Sequence, residues 1–222
     1  MTRGCAQLAA LAGPAVQSAP SVFYRTAFGL PSVEIVRCAE EIGADLIVLG
    51  RSEEAAHAPA ESVTPATLRR SRVPVLVAPQ VHEVYRRVLA CVDDTPGAPI
   101  VLDAARTLSE GFGASVVALH VEPAMSRAVA PGERRSWLRR LEGIESPAST
   151  GAGAPSGVCA FETLVRQGDV TTEILAETEA GRADLIVFGY RRGMNYGGAG
   201  AVITVAARLL RRAPCALLAV PL

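Results

Sequence analysis

The residues able to do chemistry fall in a few places. Asp93 follows the apolar run Val88–Val92 and stands two residues before Thr95 and three before Pro96. A carboxylate there either meets a ligand at the end of a strand or caps the helix that follows. Further on, Gly189 closes another apolar run, and Gly193, Gly197, Gly198 and Gly200 fill the stretch before Ile203 and Thr204. Glycines in such a place either let backbone N–H groups approach an anion or simply make a loop. Thr204 is correspondingly either a hydroxyl for that anion or an ordinary N-cap. His120 lies in an apolar run between Leu119 and Val121, where a hydrogen-bonded interior or edge histidine is the simplest account. His57 and His82 have no Cys, Asp or second His at ligand spacing, so neither supports a metal site.

Composition removes whole classes of function. All 22 basic residues other than histidine are arginines. The absence of lysine excludes a Walker A lysine, a Schiff-base lysine and a Ser-Lys dyad. The 22 acidic residues balance the arginines, so the basic footprint of a nucleic-acid or anionic-membrane binder is missing. Arg134, Arg135, Arg139 and Arg140 flank Trp137 and Leu138 and read as the solvated face of an amphipathic helix. No Gly-x-Ser-x-Gly elbow, zinc signature or paired carboxylates follow the apolar runs, which points to a binding protein and not an enzyme.

The apolar runs are far shorter than the roughly 18 residues that span a bilayer. The stretch from Arg3 to Pro20 reads either as a short helix leading into a strand or as a weak secretory leader. The five cysteines are odd in number and widely spaced, which fits small buried hydrophobes in a reducing cytoplasm.

These groups are positioned by a repeat. Gly29–Val36 resembles Gly168–Leu175 and Ala44–Gly50 resembles Ala183–Gly189, both at an offset of 139; the offset then becomes 142, placing Leu68–Arg70 on Leu210–Arg212 and Val77–Pro79 on Ala219–Pro221. Each unit reads as strand, helix, strand, loop, helix, strand. Its continuously apolar strands suit a parallel sheet covered on both faces. Predicted elements include helices at Pro31–Ile42 and Val170–Ala180 and strands at Val22–Ala27, Leu46–Leu49 and Val75–Ala78. Ahead of the second copy stand a strand over Arg86–Val92, a helix from about Gly97 to Phe112, a strand over Ser115–Val121, a helix around Glu133–Glu142, a loop over Ser146–Gly157 and a strand over Cys159–Gln167. Residues 86–222 thus make a complete domain, and residues 1–80 a partial one.

The pattern resembles the universal stress protein family. Ala-Asp-Leu-Ile-Val-Leu-Gly at 44–50, with Arg69-Arg70 and Val73-Pro74-Val-Leu-Val, looks like the family's last strand, loop, helix and strand. Ala183–Gly189 with Leu210–Cys215 repeats it, and Val88–Asp93 is similar to the family's first strand with its terminal Asp. The resemblance implies an α/β fold with a doubly wound, parallel, five-stranded sheet of order 3-2-1-4-5 in residues 86–222, preceded by a partial copy. It implies weak binding of adenine nucleotide, ATP, by the second domain, with Asp93, Val121, Gly189, Gly193 and Thr204 as cofactor contacts. Nucleotide-binding members carry Gly-x2-Gly-x9-Gly-(Ser/Thr). Here Gly193 and Thr204 match, Gly189 is one residue off, and Ile203 replaces a glycine. In the first unit Glu61-Ser62 replaces Gly-Ser, and Glu53 and Glu54 would repel phosphate. A soluble regulatory or protective role follows from the family; a scaffold that has lost nucleotide and works by domain pairing is the alternative.

Gly168 has 82 residues of its domain before it, counted from Arg86, whereas Gly29 has 28, a shortfall of 54 that matches an opening βαβ. Three arrangements would accommodate the gap: direct pairing of the flanking strands, docking of the half domain through Val75–Ala78 onto Ala216–Val220, or a chain that starts about 54 residues upstream of Met1. The last is the favoured expectation, because unpaired strand amides are costly.

Overall fold

The computed structural model describes residues 21–51, 62–79, 84–123, 162–191 and 205–222. The elements are α1 (Pro31–Ile42), β1 (Ile47–Gly50), α2 (Val63–Arg70), β2 (Val75–Ala78), β3 (Arg87–Val92), α3 (Ala98–Phe112), β4 (Ser115–Pro123), β5 (Glu162–Gly168), α4 (Val170–Ala180), β6 (Leu185–Tyr190), α5 (Val205–Arg212) and β7 (Ala216–Pro221). The expected helix at 133–142, the loop at 146–157, and residues 159–161 of the expected strand lie outside the described residues.

One seven-stranded sheet joins both units, in the order β1-β2-β7-β6-β3-β4-β5. The five strands of residues 86–222 lie side by side in this sheet, and β2 and β1 of the first unit continue it beyond β7. All neighbours run parallel except β2 and β7, which pair antiparallel through Val75↔Ala219, Leu76↔Leu218 and Val77↔Leu217. That is the docking through last strands. In the repeat, Val75, Leu76 and Val77 match Leu217, Leu218 and Ala219, so the register is symmetric about the Leu76–Leu218 pair. Two reciprocal bonds follow the same local two-fold. Arg51 Nη1 donates to Ala213 O at 2.5 Å, and Tyr190 Oη donates to Ser71 O at 3.4 Å. Arg51 matches Tyr190, and Ser71 matches Ala213.

Burial on both faces explains the unbroken apolar strands. One core, under α1, α2, α4 and α5, gathers Val36, Ile47, Leu68, Val75, Leu89, Leu119, Ile174, Ile186, Leu209 and Leu217 from both units. The other lies under α3 and gathers Val88, Ala90, Val101, Leu102, Ala105, Val116, Leu185, Val187 and Leu218.

The two units also share a junction at the start of their first matched helix. Gly29 and Gly168 adopt φ of +146° and +157°, and a Cβ on either would meet Oε1 of Glu34 or Glu173 at 2.9 and 2.8 Å. Only glycine suits that backbone with a first-turn glutamate folded over it. The strand expected at Val22–Ala27 is absent, however: residues 21–28 carry no ladder pairing. β5, its counterpart, pairs with β4 over seven positions. Among the described residues the first unit has no strand equivalent to β4.

Candidate functional site

The strand order turns at β3, whose neighbours are β4 on one side and β6 on the other. In parallel sheets the helices leading away from such a point diverge and leave a crevice at the carboxyl ends of the strands. Asp93 follows β3, and Gly189 lies near the end of β6. Cys91 pairs with Phe188, so the two residues stand on adjacent strands at the same sheet end.

Asp93 is exposed. Its Oδ1 accepts the Thr95 hydroxyl at 2.6 Å, and the Thr95 Oγ1 in turn accepts the Gly97 amide at 3.3 Å. Thr95, and not Asp93, therefore serves the orphan amides at the start of α3, while Asp93 holds the hydroxyl. The Asp93 carboxylate accepts from the Thr95 hydroxyl and caps no amide of α3 itself. On the neighbouring strand, His120 pairs with Val92, and its Nδ1 lies 3.0 Å from Val92 O. A carbonyl only accepts, so Nδ1 carries the proton in that contact. His120 is a hydrogen-bonded strand histidine beside Asp93.

Val121 is buried, and its side chain belongs to the core with Ile174 and Ala206. Any contact it made to a ligand would come from its backbone. Gly189 has a packing reason to be glycine. A Cβ there would stand 2.6 Å from Leu222 Cδ1 and 3.1 Å from Val101 Cγ2, and a Cβ on Gly97 would stand 2.7 Å from the same Leu222 atom. The Leu222 amide donates to Tyr190 O at 2.9 Å, which extends β7 by one residue and sets its side chain between Gly189 and the start of α3. No sequence pattern pointed to Leu222, because it matches nothing in the first unit. Gly193 and Thr204, with Gly197, Gly198, Gly200 and Ile203, lie outside the described residues.

Other titratable groups serve the frame. Asp184 accepts the amides of Arg86 and Arg87 at 2.7 and 3.1 Å, tying the amino ends of β6 and β3 together. Asp169 caps α4, accepting the Thr172 amide at 3.0 Å, and it also takes a bond from Arg208 of α5 at 3.1 Å. The Thr172 amide, then its hydroxyl, hold the Asp169 carboxyl below its ordinary range. Through Arg208 the cap also braces α5, the helix that follows the glycine-rich stretch. Burial pushes the Cys215 thiol up to about 12 and raises Cys91 as well, which makes both poor nucleophiles. Among the described residues no group of three or more His, Cys, Asp or Glu side chains could hold a metal ion. Nor is any helix among them long and apolar enough to cross a membrane.

Comparison with known proteins gives one consistent family. The chain is similar in fold to a universal stress protein from Archaeoglobus fulgidus DSM 4304, with a TM-score of 0.71 and 20% identity, over 98% of this chain and 76% of that one. A protein described as a putative universal stress protein from Pseudomonas aeruginosa UCBPP-PA14 gives 0.71 at 16% identity, over 100% and 80%. A functionally unknown protein from Pseudomonas aeruginosa PAO1 gives 0.69 at 17%, over 100% and 79%. No curated protein matches. The profile of the Universal stress protein family matches twice, at residues 4–79 and 84–221, and the chain belongs to that family.

Proposed function

We propose that this universal stress protein binds adenine nucleotide, ATP, weakly in its second unit, and that it acts in the cytoplasm as a regulatory or protective binding protein and not as an enzyme. The observation that carries the proposal is the meeting of Asp93 and Gly189 at the turn in strand order. There an exposed carboxylate for hydroxyl or amine groups stands beside a backbone without a Cβ. Weakness follows from two features. Ile203 stands where a phosphate-cradling glycine would be, and Leu222 fills the space beside Gly189.

Thermal-shift titration with ATP tests it, because a ligand of the native state raises Tm. Calorimetry then expects Ile203→Gly to strengthen binding and Gly193→Trp to abolish it. Unchanged affinity in both variants would rule out the cradle. A second reading, an interaction module working through domain pairing, is favoured by the symmetric β2–β7 register and its reciprocal Arg51 and Tyr190 bonds. If neither the native protein nor Ile203→Gly responds to ATP, that reading stands alone.

A further inference from the structure

Thr171, in the first turn of α4, is 1% exposed, and its Oγ1 is closed to solvent with no hydrogen-bond partner among the described residues. Burying a hydroxyl without a partner is costly, so one in a native protein points to a group that meets it. The helix itself supplies none. Thr178, two turns further along the same buried face, donates to Ile174 O four residues back at 2.7 Å. Four residues back from Thr171 is Gln167, which lies in β5 before the helix begins, so the equivalent bond does not form.

The setting of that hydroxyl is the carboxyl end of the sheet. α4 packs against β4, β5 and α5, and Thr171, Ile174 and Thr178 form its inward face. Ile174 shares its core with Val121 and Ala206. Thr171 comes three residues after Gly168, which ends β5 and pairs with Pro123 at the end of β4. The hydroxyl therefore stands where β4 ends, on the sheet face that α5 also covers. Asp93 follows β3, the next strand, and Gly189 lies on β6, two strand spacings or about 10 Å from β4.

Asp169 decides which class of group fits. Its carboxylate takes the Thr172 amide and hydroxyl at the start of α4, and these bonds keep it ionised at neutral pH. Arg208, bound to the same carboxylate, balances that charge and leaves no net attraction for an anion. The Thr171 hydroxyl is neutral and can both donate and accept. It suits a neutral group that offers an amine beside a ring nitrogen, which is the edge of a purine base, and not a phosphate. We infer that the Thr171 hydroxyl binds the base of the nucleotide, lodged between the first turn of α4 and the end of β4, with the sugar toward Asp93. This rests on the nucleotide binding proposed above and names the residue that holds the base.

The test is calorimetry of ATP, adenosine and inorganic triphosphate with the native chain, Thr171→Val and Thr171→Ser, alongside the Tm of each protein without nucleotide. Valine keeps the shape and removes the hydroxyl. Its Tm should equal or exceed that of the native chain, because a polar group without a partner is gone. Its affinity for ATP and for adenosine should fall by the same factor, about three- to tenfold, with triphosphate unaffected and serine restoring both. Native-like binding of ATP and adenosine by Thr171→Val overturns the inference and leaves the nucleotide reading in place. So does a loss confined to ATP, which assigns Thr171 to the phosphates. A Tm that falls in Thr171→Val and recovers in Thr171→Ser also overturns it, because the hydroxyl is then met within the protein. If the native chain and Ile203→Gly bind neither ATP nor adenosine, the nucleotide reading itself fails and the inference falls with it.

Discussion

Gly189 is open to two physical explanations, backbone approach to a ligand and room for Leu222, and a double-mutant cycle separates them. In Gly189→Ala the new methyl would lie 2.6 Å from Leu222 Cδ1, a distance that cannot persist. Val101 blocks the other direction at 3.1 Å, so the Leu222 side chain is what moves out. Leu222 is 37% exposed, which leaves about two-thirds of it packed. Fully burying a leucine contributes about 1.5–3 kcal/mol, so expelling this one costs about 1–2 kcal/mol. Leu222→Ala removes the same packing and costs about the same. The double variant should therefore lose about 1–2 kcal/mol in all, and not the sum, giving a coupling of the same size, about 1–2 kcal/mol. Urea unfolding followed by far-ultraviolet circular dichroism measures each term at constant m. Additive losses would refute the shared-space account. The ATP affinities of the same variants address the ligand account. If backbone approach at Gly189 matters for nucleotide, the double variant binds more weakly than Leu222→Ala alone, and equal affinity removes Gly189 from the site.

Tyr190→Phe deletes the long bond to Ser71 O across the unit boundary, a contact worth about 0.5–1.5 kcal/mol; no loss of stability in a urea titration would mean that the hydroxyl does not help hold the two units together. Asp169 predicts a pH effect. Its folded pKa lies below the ordinary 3.8, so its contribution is complete above that value and is lost as pH falls through the lower folded pKa. The stability difference between the native chain and Asp169→Asn should shrink as acid is added below about pH 4, and a difference independent of pH would contradict the cap assignment.

The repeat was legible because each unit writes the same local instructions twice. Gly29 with Glu34 and Gly168 with Glu173 build one junction from residues five apart, and both copies form it. The β2–β7 register could be anticipated for a related reason: two copies of one apolar strand end make a self-complementary edge. What failed was the strand at Val22–Ala27. Its residues suit a strand, but a strand is completed by a neighbour, and among the described residues no equivalent of β4 lies beside it.

The site divides along the same line. Asp93 was legible from the end of an apolar run, but the Thr95 hydroxyl that it holds and the Val92 carbonyl that engages His120 appear only once the chain is folded. Val121 read as a ligand contact through the resemblance, while its side chain answers to the core. Gly189 shows the limit most directly. A missing Cβ announces that something approaches closely, and composition does not say whether that is a phosphate or a leucine 33 residues away in sequence. A glycine in a binding motif therefore supports a ligand only after the side chains packed against it have been accounted for, and here Leu222 accounts for much of the space.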